Sequence, residues 1–322
     1  LGDLARILIY GDIHLSSKNY GAHVDYPRET LYYFRLITQK AEEYKATHII
    51  GLGDFTYGRF HSLEYRYAVE KELEKQNEIT EGRRYELKGN HDIAPYGMTE
   101  YEYYVTKGLL KPSTNLKIGN VNISMVDYQK HNTWEIIDPS NNDEINVVLA
   151  HGYFKFKDTK LPNYGTAVEL DHFVRWYGVD YLICGHIHNH HMFDGLIIKD
   201  NIGHRMVVHY LGSMSRPAYR EGFMDEDGHL VILTIRDNGE MQYDIDEIKL
   251  WPLEKSFNLS KKEEAKKIMG GNEVTVDISD IVNRLNTHER NIGNPEDIIE
   301  AMEGIDPRYK KKAIELLKAG RG

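Results

Sequence analysis

Five short runs of strand character in this chain stop beside a glycine and a side chain able to hold a cation. They are residues 5–10 before Gly11-Asp12-Ile13-His14, 47–52 before Gly53-Asp54, 84–88 before Gly89-Asn90-His91-Asp92, 146–150 before His151-Gly152, and 180–184 before Gly185-His186-Ile187-His188. Short apolar runs bounded by turn formers read as strands buried on both faces, the kind found in α/β sheets. Residues 28–45, with Leu31, Phe34, Ile37 and Ala41 near one stripe behind Pro27, predict a helix. Strand, helix and strand make a βαβ unit, which sets Asp54 beside Asp12 on one sheet edge, where open sheets place their ligands. In extended geometry Asp12 and His14 point to the same face. Glycine at each strand end lets backbones approach closely and turn sharply.

The remaining segments follow the same logic. Residues 61–79 predict a charged helix, 100–110 a short aromatic one, and 168–177 another. Residues 115–126 alternate around Ile118-Gly119-Asn120 as an antiparallel hairpin, and 206–235 are rich in strand formers. After Trp251-Pro252 the texture becomes helical, with Ser260 and Glu263 as a capping box and further helix starts at Asn294-Pro295 and Asp306-Pro307. We therefore expect a core domain over 1–250 and a small helical extension over 251–322.

Composition excludes little but sets a frame. No apolar run reaches the length of a membrane span and no leader pattern opens the chain, so a soluble, cytoplasmic protein is expected. The single cysteine, Cys184, excludes an intramolecular disulfide and reads as a buried strand residue. The net charge of −10 argues against a surface that grips nucleic acid all over. A site rich in carboxylates adds negative charge that bound cations offset, so local patches count for more than the total.

The strand-end residues are all nitrogen or oxygen ligands, which suits Mn²⁺, Fe²⁺ or Zn²⁺ better than a structural thiolate site. There are more of them than one ion needs, so two ions a few Å apart are the economical solution. The ordered set Asp12-x-His14, Gly53-Asp54, Gly89-Asn90-His91-Asp92, His151-Gly152 and Gly185-His186-x-His188 resembles the calcineurin-like metallophosphoesterases. The resemblance implies a four-layer α/β fold, a β-sandwich flanked by helices, around two divalent cations, with Mn²⁺ the leading choice. It implies that Asp12, His14 and His188 bind the first ion, Asn90, His151 and His186 the second, and that Asp54 bridges them. His91 would be the non-ligand histidine that protonates the leaving oxygen or steadies the transition state, with Asp92 orienting its ring.

Beyond the last histidine pair, Tyr210-Leu211-Gly212-Ser213, Arg216 and Glu221-Gly222-Phe223 resemble the end of the nuclease core in SbcD-type double-strand-break repair nucleases. That likeness implies a DNA exonuclease or endonuclease, compact and phage-like in size, working with an SbcC-like ATPase partner and without a membrane; a homodimer is one arrangement it leaves open. Gly53-Asp54 is followed by Phe55-Thr56-Tyr57-Gly58 rather than that branch's Leu-Phe-His or Leu-Phe-Asp, and His61 is a candidate replacement. Candidate substrate contacts are His61, Lys155 with Lys157 and Lys160, Ser213 and Arg216, and Tyr96 or Tyr153 as a surface on which a base stacks. The alternative substrates are cyclic nucleotides, small phosphodiesters or phosphoproteins, and the acidic net charge favours these.

Overall fold

The computed structural model describes residues 2–19, 23–57, 61–94, 97–128, 144–155, 168–169, 178–197, 205–216 and 227–258. The chain divides into two compact units, Leu1–Lys261 and Lys262–Gly322. The second unit, with the expected C-terminal helices, lies outside the described residues.

In chain order the elements are β1 (Asp3–Tyr10), α1 (Tyr26–Glu43), β2 (His48–Gly51), α2 (Leu63–Thr80), β3 (Arg84–Glu86), α3 (Glu100–Thr106), β4 (Asn115–Ile118) and β5 (Val121–Val126). They continue with β6 (Ile145–His151), β7 (Phe154–Lys155), β8 (Val168–Glu169), β9 (Tyr181–Gly185), β10 (His191–Ile197), β11 (Arg205–Tyr210), β12 (Gly228–Arg236), β13 (Met241–Ile248) and α4 (Leu253–Ser256). Two mixed sheets carry the fold, ordered β13-β12-β1-β2-β3 and β10-β11-β9-β6-β5-β4. In the first, β1, β2 and β3 run parallel, with Tyr10 opposite Gly51 and Gly51 opposite Glu86. In the second, β5, β6, β9 and β11 run parallel, and His151 sits opposite Gly185. These registers bring the ends of β1, β2 and β3, and those of β6 and β9, level with one another.

Burial on both faces explains why β1 reads as a continuous apolar run. Ile7 and Ile9 pack with Ile50, Leu52, Ile123, Val147, Leu149 and Ile183 between the sheets, while Leu8 and Tyr10 pack with Phe34, Ile37, Val69 and Leu73 beneath the helices. A third cluster, with Val148, Phe154, Leu182, Cys184 and Tyr210, covers the outer face of the second sheet. Helices α1, α2 and α3 start where side-chain caps satisfy exposed N–H groups. Asp25 caps α1 with Pro27 in its first turn, Ser62 caps α2, and Thr99 with Glu102 forms a capping box on α3.

Three local expectations change. Residues 168–169 pair with β7 as a strand instead of opening a helix, and 170–177 lie outside the described residues. β1 stops at Tyr10, so Asp12 and His14 do not share a face by strand alternation; His14 adopts φ 52° in a turn. β10 and β13, unforeseen, form the outer edges of the two sheets. No helix among the described residues is long and apolar enough to cross a membrane.

Candidate metal centre

Five non-glycine residues among those described have left-handed backbones: His14 (φ 52°), Lys45 (51°), Asp54 (49°), Glu81 (50°) and His186 (84°). Glu81 is the C-cap of α2 and Lys45 follows the C-cap of α1, positions where that conformation ends a helix. The other three follow strand ends, where the conformation costs about 1–3 kcal/mol per residue and persists only if surrounding bonds over-determine it.

Those bonds are present. His14 N donates to Asp54 O at 2.9 Å, Leu15 N to Phe55 O at 2.9 Å and Tyr57 N to Leu15 O at 2.8 Å, lacing the loop after β1 to the loop after β2. The Asp12 carboxylate accepts from His186 N at 2.9 Å, tying in the loop after β9. Glycines make the approach possible. A Cβ on Gly89 would collide with the Asp54 backbone nitrogen and carboxylate, and one on Gly53 would lie 2.6 Å from His151 Nδ1.

Two groups of ligand-type atoms result. Asp12, His14, Asp54 and His188 each offer one atom within 4.8 Å of the others, and Asp54, His151 and His186 form a second such group. Asn90 joins the second group, its Oδ1 lying 3.1 Å from His151 Nε2 and 2.9 Å from His186 Nδ1. Asp54 belongs to both groups. In the first, His14 Nε2 and His188 Nε2 face each other at 3.1 Å, with Asp12 Oδ2 3.7 Å from His188 and Asp54 Oδ2 3.9 Å from His14. In the second, His151 Nδ1 lies 2.7 Å from Leu52 O. That carbonyl can only accept, so Nδ1 carries the proton and the Nε2 lone pair faces Asn90 and Asp54.

Electrostatics favour the same occupant. Asp12, Asp54, Asp92 and Glu86 are all at most 1% exposed, with Arg84, also fully buried, paired to Glu86 at 2.7 Å. Burial, then the charge of Asp54, pushes Asp12 well up and Asp92 to about 8; burial also raises Asp54 and Glu86. Burial, followed by neighbouring imidazoles, holds His14 well below its usual value and His186 at about 4, and burial holds His151 at about 4. Carboxylates pushed up and imidazoles pushed down are groups resisting charge in a dry site, a resistance that divalent cations remove. The donor set, with imidazole, carboxylate and one amide oxygen, fits two such ions.

His91 stands outside both groups. Its backbone N–H donates to Asp54 Oδ1 at 2.8 Å, and its exposed ring lies 5.2 Å from His14 and 4.8 Å from Tyr57 between centroids. The Asp92 carboxylate, expected to orient that ring, is occupied by four donors: Gly89 N, Phe55 N, Thr56 N and Thr56 Oγ1, at 3.0–3.1 Å. It staples the loops that carry Asp54 and Asn90, so its hold on His91 acts through the backbone.

The substrate candidates are placed differently from expectation. Ser213 is buried, donating its hydroxyl to Asp12 O at 2.9 Å, and so supports the first loop. Arg216 is buried and donates to Trp251 O at 2.6 Å. His61 is buried edge-on against Tyr65, its backbone N–H donating to Glu100. Tyr153 is 5% exposed within the outer cluster, too enclosed to offer a ring face to a base. Lys155 lies in β7 with only its backbone described, and Tyr96, Lys157, Lys160 and residues 221–223 fall outside the described residues.

Sequence reasoning missed two rings that the fold sets beside the ligand groups. Tyr57 lies 5.6 Å from His14, and Tyr128 is near-parallel to His186 at 5.9 Å and 6.1 Å from His151. Tyr128 follows a strand whose end, Val126-Asp127, has no glycine beside its carboxylate, so the signal that marked the other strand ends is missing there.

The family model for calcineurin-like phosphoesterases matches residues 5–190. Among solved structures, a dimetal phosphatase from Danio rerio is similar at 12% identity over 75% of this chain and 99% of its own, with a TM-score of 0.39. Chaetomium thermophilum Vps29 is similar at 12% identity over 77% of this chain and 100% of its own, with a TM-score of 0.32. No curated protein matches the chain. With its motif-bearing strand ends inside the matched span and their ligand atoms gathered into two groups about Asp54, the chain belongs to the calcineurin-like phosphoesterase family.

Proposed function

We propose that this protein is a two-metal phosphodiesterase that hydrolyses DNA. The observation that carries the chemistry is the membership of Asp54 in both ligand groups, which brings two sets of ligand-type atoms together across one carboxylate. Around the two groups, the buried carboxyl groups of Asp12, Asp54, Asp92 and Glu86 against the buried Arg84 guanidinium leave a negative surplus that two divalent cations would cover. When bound, two such ions ready a water for attack, fix the phosphoryl group and neutralise charge on its oxygens.

The chain's own residues do the rest. Asp12, His14 and His188 would hold the first cation, Asn90, His151 and His186 the second, and Asp54 would serve both. His91, exposed above Asp54 and held through its backbone N–H, donates a proton to the leaving oxygen. DNA as substrate rests on the sequence likeness of the segment from Tyr210 to Phe223 to SbcD-type nucleases, as does an ATPase partner, which co-purification would test. Mn²⁺ is the proposed metal on the family resemblance; the imidazole-rich set speaks against Mg²⁺, which prefers oxygen ligands and water, and leaves Fe²⁺ and Zn²⁺ as the alternatives.

The test is a panel of oligonucleotide duplex, single strand, cyclic nucleotide and phosphomonoester with Mn²⁺, Mg²⁺ or Zn²⁺. The expected result is Mn²⁺-dependent DNA cleavage that His91→Ala lowers on the order of a hundred- to ten-thousand-fold while metal content is kept. Cleavage of cyclic nucleotides but never DNA would favour the second reading, a small-phosphodiester enzyme, for which the net charge of −10 speaks.

A further inference from the structure

Tyr57 and Tyr128 flank the metal centre from two different loops. Tyr57 is edge-on to His14 at 5.6 Å and tilted over His91 at 4.8 Å, so it belongs to the side of the first ligand group. Tyr128 lies near-parallel to His186 at 5.9 Å and edge-on to His151 at 6.1 Å, on the side of the second. Both residues are half-buried rather than enclosed, and Tyr57 adjoins the exposed His91.

Their backbones are fixed as firmly as those of the ligand residues. Tyr57 N donates to Leu15 O at 2.8 Å, in the loop lacing that also holds His14. Tyr128 N donates to Lys88 O at 2.8 Å, and Lys88 N returns a bond to the Asp127 carboxylate at 2.8 Å, next to the Gly89–Asn90 turn. Rings anchored in this way pay little ordering entropy when a flat group settles on them.

Lys88, close to the Asn90 turn, is paired with Glu102 at 2.8 Å, and the chain carries a net charge of −10. Stacking on a tyrosine tolerates any base and adds to whatever phosphate pairing the strand finds.

Building on the proposed phosphodiesterase reading, we infer that Tyr57 and Tyr128 are specificity-determining residues that each stack a nucleobase, one on either side of the scissile phosphate. The substrate class is then a diester bearing a base on both arms. The base on the leaving-group arm meets Tyr57, beside His91, and the base on the other arm meets Tyr128.

The experiment uses the Mn²⁺-loaded full chain and three short substrates: a thymidine dinucleotide and two analogues lacking the base on one arm or the other. For the unmodified protein, removing either base lowers kcat/KM about tenfold. Tyr57→Ala makes the protein indifferent to the leaving-arm base, Tyr128→Ala to the other base, and the Phe variants restore the discrimination. In parallel, calorimetry gives thymidine monophosphate binding at least about tenfold weaker to the double Ala variant than to the parent, with inorganic phosphate binding changed far less. Equal losses on base-bearing and base-lacking substrates, or Phe variants as poor as Ala, would overturn the assignment. If the parent cleaves bis(p-nitrophenyl) phosphate but no dinucleotide, the nuclease reading fails by itself. The monophosphate-against-phosphate comparison then still decides whether the tyrosines hold a base.

Discussion

Asp92→Asn tests the way the site is held together, because it keeps size and shape while changing two lone pairs into two donors. The carboxylate accepts from Thr56 N at 3.0 Å and Thr56 Oγ1 at 3.1 Å on one oxygen, and from Gly89 N at 3.0 Å and Phe55 N at 3.1 Å on the other. In the cheaper orientation the new amide faces Thr56, whose hydroxyl can rotate to accept, leaving the Thr56 N–H stranded in a fully buried place. One stranded buried donor costs about 1–3 kcal/mol, and the two bonds retained lose their charge assistance, about 0.5–1 kcal/mol each. The expected destabilisation of the Mn²⁺-loaded protein is about 3 kcal/mol, a fall in Tm of roughly 6–12 °C for a unit of this size. Because the stapled loops carry Asp54 and Asn90, metal affinity falls about 10–100-fold as well. Thermal unfolding and metal titration on parent and variant measure both quantities. A Tm within a degree of the parent, with unchanged metal affinity, would refute the staple.

Gly89→Ala drives a methyl into the Asp54 backbone; we expect a loss of about 1–3 kcal/mol in denaturant unfolding, with weakened metal binding. Asp92 is raised to about 8, and Asp12 and Asp54 are raised too, so these groups keep protons in the metal-free fold that the unfolded chain has lost. Metal-free stability from these carboxylates therefore falls as pH rises from about 4 towards 8, and protons compete with cations over that window. The Tm gain on adding Mn²⁺ should be larger at pH 8 than at pH 6, and an equal or smaller gain would contradict this. His209 is pushed down to about 3, first by burial and then by His190 and His229, so below pH 6.5 the unfolded chain binds a proton that the fold refuses. Between pH 7 and 4.5 that costs about 3 kcal/mol, and His209→Gln should flatten the acid side of the stability curve measured in urea by that much.

The parallel strands β1, β2, β6 and β9 were legible because burial on both faces leaves an unbroken apolar run, and α1 because its stripe is regular. β13 escaped notice because its exposed positions hold Gln242, Asp244 and Glu247, which read as loop when the partner strand is unknown. Residues 168–177 carry a helix-like pattern, yet Val168 and Glu169 pair with β7, a tertiary choice that a local pattern does not contain. At the site, ligand-type residues stood out because chemistry of that kind next to glycine is rare at strand ends. What each buried carboxylate faces was not legible. Asp92 and Asp54 look alike in sequence, but one meets four backbone and hydroxyl donors while the other is shared by two ligand groups. Tyr128 lies 23 residues before His151 and 58 before His186 in the chain, and only the sheet register brings the three together.

The most direct measurement is metal stoichiometry by elemental analysis after Mn²⁺ loading and desalting, on the parent, His14→Ala, His186→Ala and Asp54→Ala. The account predicts two ions per chain for the parent, one for each histidine variant, and a loss from both positions for Asp54→Ala. One ion per chain, or a content that Asp54→Ala leaves intact, would contradict a pair of cations joined across that carboxylate.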